Sequence, residues 1–271
     1  MVPGKITYNQ SKIAYQLGGQ GNHFLICFHG YGENAGSFNF LEKYLGDQFK
    51  ILAIDLPFHG ETDWQEPDLD LSGWNQALES VLNACGYQPG DKLSLMGYSL
   101  GGRVVLQYYQ DHPNRINKIV LLAPDGLKVN FWYWLSTQTI LGNRLFKFTM
   151  RHPGIFLNFL RGLNGFKLIN SSIYKFVHYY IGNPQVRIDL YRRWTTLRKI
   201  KPDLKRIAVL VKKESIPVIL IYGRHDRIIL PNRGYQFQKA VGPTCSLHII
   251  ESGHQVLHEK HISALLPLLL P

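Results

Sequence analysis

The amino-acid sequence predicts an α/β fold with a mostly parallel central sheet, helices on both faces of the sheet, and an inserted helical segment. Short, continuous apolar runs alternate with segments of helical spacing through most of the 271 residues. The apolar runs end at Gly, Pro or Asp, which is typical of parallel strands that are covered on both faces. This alternation stops between about residues 125 and 215, where we expect the insertion.

The strands and helices of the core follow in order along the chain. Two runs at residues 6–9 and 13–17 flank a polar turn and predict an opening β-hairpin. The predicted buried strands span residues 24–28, 51–54, 93–96, 119–122, 218–222 and 246–250. The predicted connecting helices span residues 37–45, 74–85, 102–109 and 233–240. Strands and helices that alternate in this way form parallel sheets with right-handed crossovers.

The segment from residue 125 to 215 predicts several short helices, because Gly and Pro interrupt a stretch that is rich in Phe, Tyr and Trp. We therefore expect an α/β core from residues 1–124 and 216–271, and a basic, aromatic-rich helical cap from residues 125–215. The cap contains 17 Lys and Arg against 4 Asp and Glu, a net charge of +13. Since the whole chain has +11, the remainder has −2.

The pentapeptide GYSLG at residues 97–101 lies between a predicted strand and a predicted helix. A serine at the centre of such a sharp turn is held in strained backbone geometry, with its hydroxyl raised above the sheet. Gly97 and Gly101 remove Cβ atoms that neighbouring backbone would strike. The simpler interpretation is a turn of small residues. The position between strand and helix favours Ser99 as a nucleophile.

A serine nucleophile needs a histidine that accepts its proton and an acid that orients the histidine. Asp226 follows the predicted strand at 218–222, and His254 follows the last predicted strand. Both therefore lie at the carboxyl ends of strands, where the loops of a parallel sheet meet. Asp125 is an alternative acid. Three other histidines are expected at the surface: His225, His258 and His261.

The loop after the strand at 24–28 has the sequence HGYG and predicts an anion site. A tetrahedral intermediate needs two N–H donors, one after the nucleophile and one from an early loop. Leu100 and Tyr31 are the predicted donors of this oxyanion hole. His29 and Gly30 are candidate substrate-binding residues. The alternative interpretation is a glycine turn with a structural histidine.

Jointly, these motifs resemble those of the α/β-hydrolase superfamily. The resemblance covers residues 5–124 and 216–265 through HGYG, DLPFHGET, GYSLGG, GRHD and SGH. It implies an α/β-hydrolase fold and a serine hydrolase of carboxylesterase or lipase type, with Ser99, Asp226 and His254 in the family's chain order. Phe58 and Thr62 depart from the family pattern, which usually has a glycine and a serine there. No cofactor and no metal is expected.

The predicted reaction is cleavage of a carboxylic ester or related acyl bond through an acyl-enzyme intermediate. GYSLGGR and DLPFHGET are also similar to the menaquinone-pathway lyase that makes 2-succinyl-6-hydroxy-2,4-cyclohexadiene-1-carboxylate. That similarity makes Arg103 a candidate ligand for an anionic substrate, although Arg103 can also pair with a core carboxylate. A carbon–carbon bond hydrolase uses the same three residues. The alternative from another class is a non-catalytic binding protein on this fold.

Partners and compartment follow from composition. The three cysteines, Cys27, Cys85 and Cys245, are odd in number and widely spaced, which predicts free thiols and a reducing, cytoplasmic compartment. Residues 1–10 have no pattern of a secretory signal. The basic charge of the cap fits a carboxylate-bearing substrate, peripheral contact with an anionic membrane, or solvent. No nucleic-acid motif accompanies this charge, so no nucleic-acid partner is predicted.

Overall fold

The computed structural model describes residues 1–66, 69–128, 131–165 and 171–270, apart from the side chains of residues 132, 171–173 and 176. The chain divides into two compact units. We call Met1–Lys128 together with Ile200–Pro271 the sheet unit, and Val129–Lys199 the helical unit.

The described part of the sheet unit contains eight strands: β1 Val2–Tyr8, β2 Ser11–Gly18, β3 His23–Phe28, β4 Phe49–Ile54, β5 Leu93–Tyr98, β6 Ile116–Leu122, β7 Val218–Gly223 and β8 Cys245–Ile250. They form one sheet in the order β1-β2-β4-β3-β5-β6-β7-β8. The pairs β1–β2 and β2–β4 are antiparallel, and every other neighbouring pair is parallel. The predicted hairpin and the mostly parallel sheet are therefore confirmed.

The α-helices are α1 Glu42–Leu45, α2 Leu71–Ala84, α3 Leu100–Asp111, α4 Phe131–Gln138, α5 Ile140–Arg151, α6 Pro153–Gly165, α7 Ser171–Gly182, α8 Pro184–Thr196, α9 Leu204–Glu214, α10 Asn232–Val241 and α11 Ile262–Leu269. Short 3-10 helices cover Ala35–Leu41, Pro113–Arg115, Leu197–Lys199 and Glu259–His261. The predicted helix at 37–45 is thus mostly a 3-10 helix. Its buried side chains Phe38 and Leu41 are three residues apart, which is the spacing that places side chains in line along a 3-10 helix.

The helical unit is shorter than the segment 125–215 that the sequence predicted as a cap. The largest difference is at its carboxyl end, where α9 belongs to the sheet unit. Ile207, Ala208 and Val211 form the buried face of α9, which packs against α3 and α10. Long-range packing therefore assigns this basic helix to the core.

The centre of the sheet unit is the strand β5 followed by α3. Every residue of β5 is buried, and α3 is buried from Leu100 through Tyr109. Burying a side chain such as Val105 or Leu106 stabilises the fold by about 1.5–3 kcal/mol. The turn between β5 and α3 is therefore held between two well-packed elements.

The described part of the helical unit consists of helices with an aromatic interior. The ring of Phe146 on α5 lies 5.4 Å from that of Tyr191 and 5.6 Å from that of Trp194, both on α8. Tyr133 on α4 lies 5.2 Å from the same Trp194 ring. These contacts bring α4, α5 and α8 together.

The three cysteines are buried free thiols. Burial raises the pKa of the Cys27 thiol above its usual range, and it raises the pKa of Cys245 to about 12. A thiol with a raised pKa is mostly protonated at neutral pH and is a poor nucleophile. We therefore assign these side chains to packing.

Candidate active site

Ser99 lies in the turn between β5 and α3 with a backbone conformation that non-glycine residues rarely adopt. Its φ is 49° and its ψ is −113°. Such a conformation costs about 1–3 kcal/mol and persists only where the surroundings hold it. The N–H of Ser99 donates to the carbonyl of Leu122 at 2.9 Å, and the carbonyl of Ser99 accepts from the N–H of Asp125 at 2.8 Å. The end of β6 and the residues after it therefore hold the strained turn.

The two glycines that flank Ser99 are required by close backbone contacts. A Cβ on Gly97 would lie 2.5 Å from the carbonyl oxygen of Gly101. A Cβ on Gly101 would lie 1.9 Å from the carbonyl oxygen of Phe28, at the end of β3. Neither contact can be relieved by rotating a flexible side chain. The turn thus packs directly on the neighbouring strand.

The side chains of Ser99, His254 and Asp226 form a hydrogen-bonded series. His254 Nε2 lies 3.0 Å from Ser99 Oγ, and His254 Nδ1 lies 2.8 Å from Asp226 Oδ2. An ionised carboxylate only accepts hydrogen bonds, so Nδ1–H donates to Asp226. Nε2 of the neutral ring is then the acceptor for the Ser99 hydroxyl.

Asp226 is fixed in place by the backbone that follows it. Its side chain is fully buried. Its Oδ1 accepts from the N–H groups of Ile228 and Ile229 at 2.7 and 3.0 Å, which leaves Oδ2 for His254. These bonds compensate for the removal of the carboxylate from water and fix the direction in which it meets the imidazole.

Asp125, the alternative acid, is engaged elsewhere. Its Oδ2 lies 3.2 Å from Nη2 of Arg103, which is only 8% exposed. Its Oδ1 accepts from the N–H of Gly126 at 2.7 Å. The guanidinium of Arg103 thus pairs with the half-buried carboxylate of Asp125. Pairing with a carboxylate of the protein is the second of the two interpretations that the sequence left open. The substrate-binding prediction for Arg103 gains no support from this pairing.

The three competing histidines lie outside this series. His225 is exposed, and its Nε2 is 3.3 Å from the Glu251 carboxylate. His258 is exposed, and its Nδ1 accepts from the N–H of Lys260. His261 follows it in a 3-10 helix, with its ring 6.5 Å from that of His258. Among the candidate histidines, His254 is the one that the structure places between Ser99 and Asp226.

The loop after β3 lies against Ser99, but His29 does not have the position predicted for a substrate ligand. His29 is fully buried, with Nδ1 2.7 Å from the carbonyl oxygen of Gly30 and Nε2 accepting from the N–H of Leu56 at 3.1 Å. This ring joins the loops after β3 and β4. The prediction for His29 is therefore replaced by a structural role, because a side chain without exposed surface cannot touch a substrate.

The remaining residues of the loop lie close to the serine. A Cβ on Gly30 would be 3.0 Å from the Tyr98 ring and 3.4 Å from Ser99 Cβ. Tyr31 follows directly, with its ring 5.8 Å from that of His59. Leu100 is the first residue of α3, and the first four N–H groups of a helix have no acceptor within it. The structure thus places Leu100 directly after Ser99, and it places Gly30, the neighbour of Tyr31, beside Ser99.

Two residues near His254, Tyr98 and Glu33, were not predicted from the sequence. The Tyr98 hydroxyl donates to the carbonyl of His254 at 3.3 Å, and burial raises the pKa of Tyr98. Burial also raises the pKa of Glu33, an effect that the Ser37 hydroxyl, the Gly30 N–H and His254 partly offset. Both residues lie inside or beside a motif that the sequence singled out, at positions where the motif does not specify a residue.

The loop after β4 contains both departures from the family pattern. Phe58 has a φ of 61°, in the left-handed region that favours the glycine usual at this position. Thr62 donates to the carbonyl of Asp55 and accepts from the N–H of Ala14, each at 2.9 Å. The Asp55 carboxylate in turn accepts from the N–H groups of Ala35 and Glu61 at 2.5 and 2.8 Å. The Thr62 hydroxyl therefore links β2 to the loop after β4 through hydrogen bonds with the backbone.

Over the described parts of the chain, no three His, Cys, Asp or Glu side chains form a group that would hold a metal ion.

Comparisons with known proteins agree with the fold. A family model for the alpha/beta hydrolase fold matches residues 24–261. An uncharacterized hydrolase of Bacillus subtilis, YugF, is 24% identical over 243 residues, which cover 89% of this chain and 86% of that protein. A pimeloyl-[acyl-carrier protein] methyl ester esterase of Citrobacter koseri is 33% identical over 112 residues, which cover 41% of this chain and 40% of the esterase.

Solved structures give the same result. A thermophilic esterase from Thermogutta terrifontis superposes with a TM-score of 0.68 at 15% sequence identity. The match covers 99% of this chain and 96% of the esterase chain. At this level of identity the similarity establishes the fold.

Proposed function

The chain belongs to the alpha/beta hydrolase fold family, and from that premise we propose that it is a serine hydrolase that cleaves a carboxylic ester or a related acyl bond. The observation that supports this proposal most strongly is the hydrogen-bonded series Ser99–His254–Asp226 on a strained turn. The partial similarity to a pimeloyl-[acyl-carrier protein] methyl ester esterase adds support for ester substrates. The buried free thiols support a reducing, cytoplasmic compartment.

In the first half-reaction, His254 Nε2 removes the proton of the Ser99 hydroxyl while Oγ attacks the carbonyl carbon of the substrate. The imidazolium that forms is stabilised by Asp226, whose other oxygen is held by two backbone N–H groups. His254 then gives the proton to the leaving alcohol, and the C–O bond to that alcohol breaks. The acyl group remains bound to Ser99.

The negative charge that develops on the carbonyl oxygen is stabilised by the N–H groups of Leu100 and Tyr31. Such donors act most strongly in the transition state, because they are already oriented before charge develops. In the second half-reaction, His254 removes a proton from water, which attacks the acyl-enzyme. The carboxylic acid leaves, and the Ser99 hydroxyl is restored.

The alternatives have less support. The lyase hypothesis requires Arg103 as a ligand for an anionic substrate, yet Arg103 is buried and paired with Asp125. A carbon–carbon bond hydrolase uses the same three residues. The solved structures similar to this chain include a 2-hydroxy-6-oxo-6-phenylhexa-2,4-dienoate hydrolase at 17% identity as well as an esterase at 15% identity, so they favour neither reaction. A non-catalytic binding protein has no need for a buried acid oriented towards a histidine beside a strained serine.

The test is hydrolysis of p-nitrophenyl esters by the parent, by Ser99→Ala and by Ser72→Ala, a control at an exposed serine of α2. We expect Ser99→Ala to lose hydrolysis by about 10⁴-fold or more while it stays folded. Ser72→Ala should match the parent. Vinylogous 1,5-diketone acids and pyruvate release are followed in parallel. Turnover of these compounds without ester hydrolysis would contradict the proposal and favour the carbon–carbon chemistry.

A further inference from the structure

Helix α5 of the helical unit presents apolar side chains to solvent. Leu141, Leu145 and Phe148 are 79%, 61% and 48% exposed. They are four and three residues apart, so they lie on one face of the helix. The inward side is marked by Phe146, which packs on two aromatic rings of α8. Helix α5 thus has apolar side chains on two sides: one side packs against α8, and the other is exposed to solvent.

Helix α6 repeats this arrangement. Ile155 and Phe159, four residues apart, are 64% and 62% exposed, whereas the adjacent Leu160 is buried. Only His152 separates the end of α5 from the start of α6. We call these five exposed side chains, Leu141, Leu145, Phe148, Ile155 and Phe159, the α5–α6 surface. Large apolar side chains that are exposed in a group, rather than singly, mark an interaction site.

The charged residues of these two helices all have the same sign. Arg144, Lys147 and Arg151 on α5 and Arg161 on α6 are exposed. Residues 140–165 contain no Asp or Glu. The whole helical unit has 11 Lys and Arg against 1 Asp, a net charge of +10. A partner of this surface must therefore offer negative charge together with apolar area.

Helix α9 of the sheet unit shows that positive charge alone does not explain the α5–α6 surface. It also exposes four cationic side chains: Lys205, Arg206, Lys212 and Lys213. Its apolar residues, however, face inward, and Val209 is its one large apolar side chain that is strongly exposed. Helix α9 has the pattern of an ordinary solvated basic helix. Helices α5 and α6 differ from it by their exposed apolar side chains.

We propose that the α5–α6 surface docks on an anionic lipid bilayer. The five apolar side chains enter the boundary between headgroups and acyl chains, while the flanking Arg and Lys side chains bind headgroup phosphates. Among the described residues, no helix has the length and hydropathy of a membrane span.

Two other partners fit these observations less well. A second copy of the chain, related by two-fold symmetry, would bring the same cationic residues against each other without any acidic residue to pair with them. A nucleic acid offers phosphates and stacking bases, but it would leave the aliphatic side chains of Leu141, Leu145 and Ile155 without apolar contact. A bilayer satisfies both requirements.

The experiment is co-sedimentation of the full chain with phosphatidylcholine vesicles, prepared with or without phosphatidylglycerol, at low and high salt. We expect binding only to the anionic vesicles, weakened by salt. The variant Leu141→Ser/Leu145→Ser/Phe148→Ser should bind about tenfold more weakly or worse. Its matched control is Val209→Ser, which removes an equally exposed apolar side chain among the cations of α9 and should bind like the parent.

A charge series completes the experiment. Arg144→Gln/Lys147→Gln/Arg151→Gln should weaken binding to anionic vesicles by about tenfold or more, and Lys205→Gln/Arg206→Gln/Lys212→Gln should not. Circular dichroism checks the fold, and Ile155→Ser/Phe159→Ser replaces the α5 variant if that variant does not fold.

Three outcomes would overturn the proposal. The first is that the parent does not bind anionic vesicles. The second is that the α5 and α9 variants lose binding equally. The third is that the apolar variants keep vesicle binding and instead lose self-association or oligonucleotide binding.

Discussion

The sheet unit and the helical unit differ in where their sequences place apolar and charged side chains. Ten of the fifteen strongly exposed large hydrophobic side chains among the described residues belong to the helical unit. That unit has a net charge of +10, and the sheet unit, with 19 Lys and Arg against 18 Asp and Glu, has +1. The apolar side chains of the sheet unit are mostly buried in its core, and its charges nearly balance. The helical unit instead exposes many apolar side chains and carries most of the net positive charge.

The largest effects are expected when the proposed catalytic side chains of the sheet unit are removed. His254→Ala should lower kcat/KM for p-nitrophenyl esters by about 10⁴-fold or more, and Asp226→Asn by about 10⁴-fold, because the imidazole loses its function or its tautomer. His225→Ala, next to Asp226 but exposed, serves as the control and should keep near-parent activity. Equal losses for His225→Ala and His254→Ala would contradict the assignment of the base.

Glycine substitutions should have opposite effects in the two units. Gly101→Ala forces a Cβ to 1.9 Å from the Phe28 carbonyl oxygen and should destabilise the protein by about 3 kcal/mol or more. Gly162→Ala, on α6 of the helical unit, meets nothing within 4 Å and should stabilise α6 by about 0.5–1 kcal/mol. Urea unfolding measures both. A change in the free energy of unfolding with the same sign in both variants would contradict this expected difference between the two units.

A smaller effect is expected on the pH dependence of stability, which should differ between Glu33, near His254, and the exposed Glu251. Burial raises the pKa of Glu33, so the folded state binds this proton more tightly than the unfolded state. Its stabilising contribution is present below the ordinary carboxyl pKa and is lost as pH rises through the raised value. Glu33→Gln should therefore raise the urea concentration at the unfolding midpoint more at neutral pH than at acidic pH.

Glu251 gives the opposite sign and serves as the control for that series. A hydrogen bond from Arg224 lowers the pKa of this exposed carboxylate, so its contribution is present above the ordinary pKa and is lost as pH falls. Glu251→Gln should lower the midpoint slightly at neutral pH and leave it unchanged in acid, since solvent screens this pair. If the unfolding midpoints of the two variants changed with pH in the same direction, the pKa values of these two carboxyl groups would not depend on their position in the fold as described.

Local sequence predicted the sheet and the three residues of the hydrogen-bonded series, because each lies in a short motif directly after a strand. Contacts between distant residues were not predictable in the same way. The bond from the Leu56 N–H to His29 depends on how two loops meet in space, and the ion pair of Arg103 with Asp125 depends on how α3 packs against the residues after β6. The boundary of the insertion differs for a related reason. The sequence groups α9 with the insertion because of its charge, whereas its packing on α3 and α10 groups it with the sheet unit.

Activation of Ser99 as a nucleophile is tested by mass spectrometry of the intact protein after reaction with a fluorophosphonate probe, followed by peptide mapping. We expect a single adduct on Ser99 in the parent, slow labelling in His254→Ala, and no labelling in Ser99→Ala. An adduct on another residue, or labelling of Ser99→Ala at the parent's rate, would contradict the activation of Ser99.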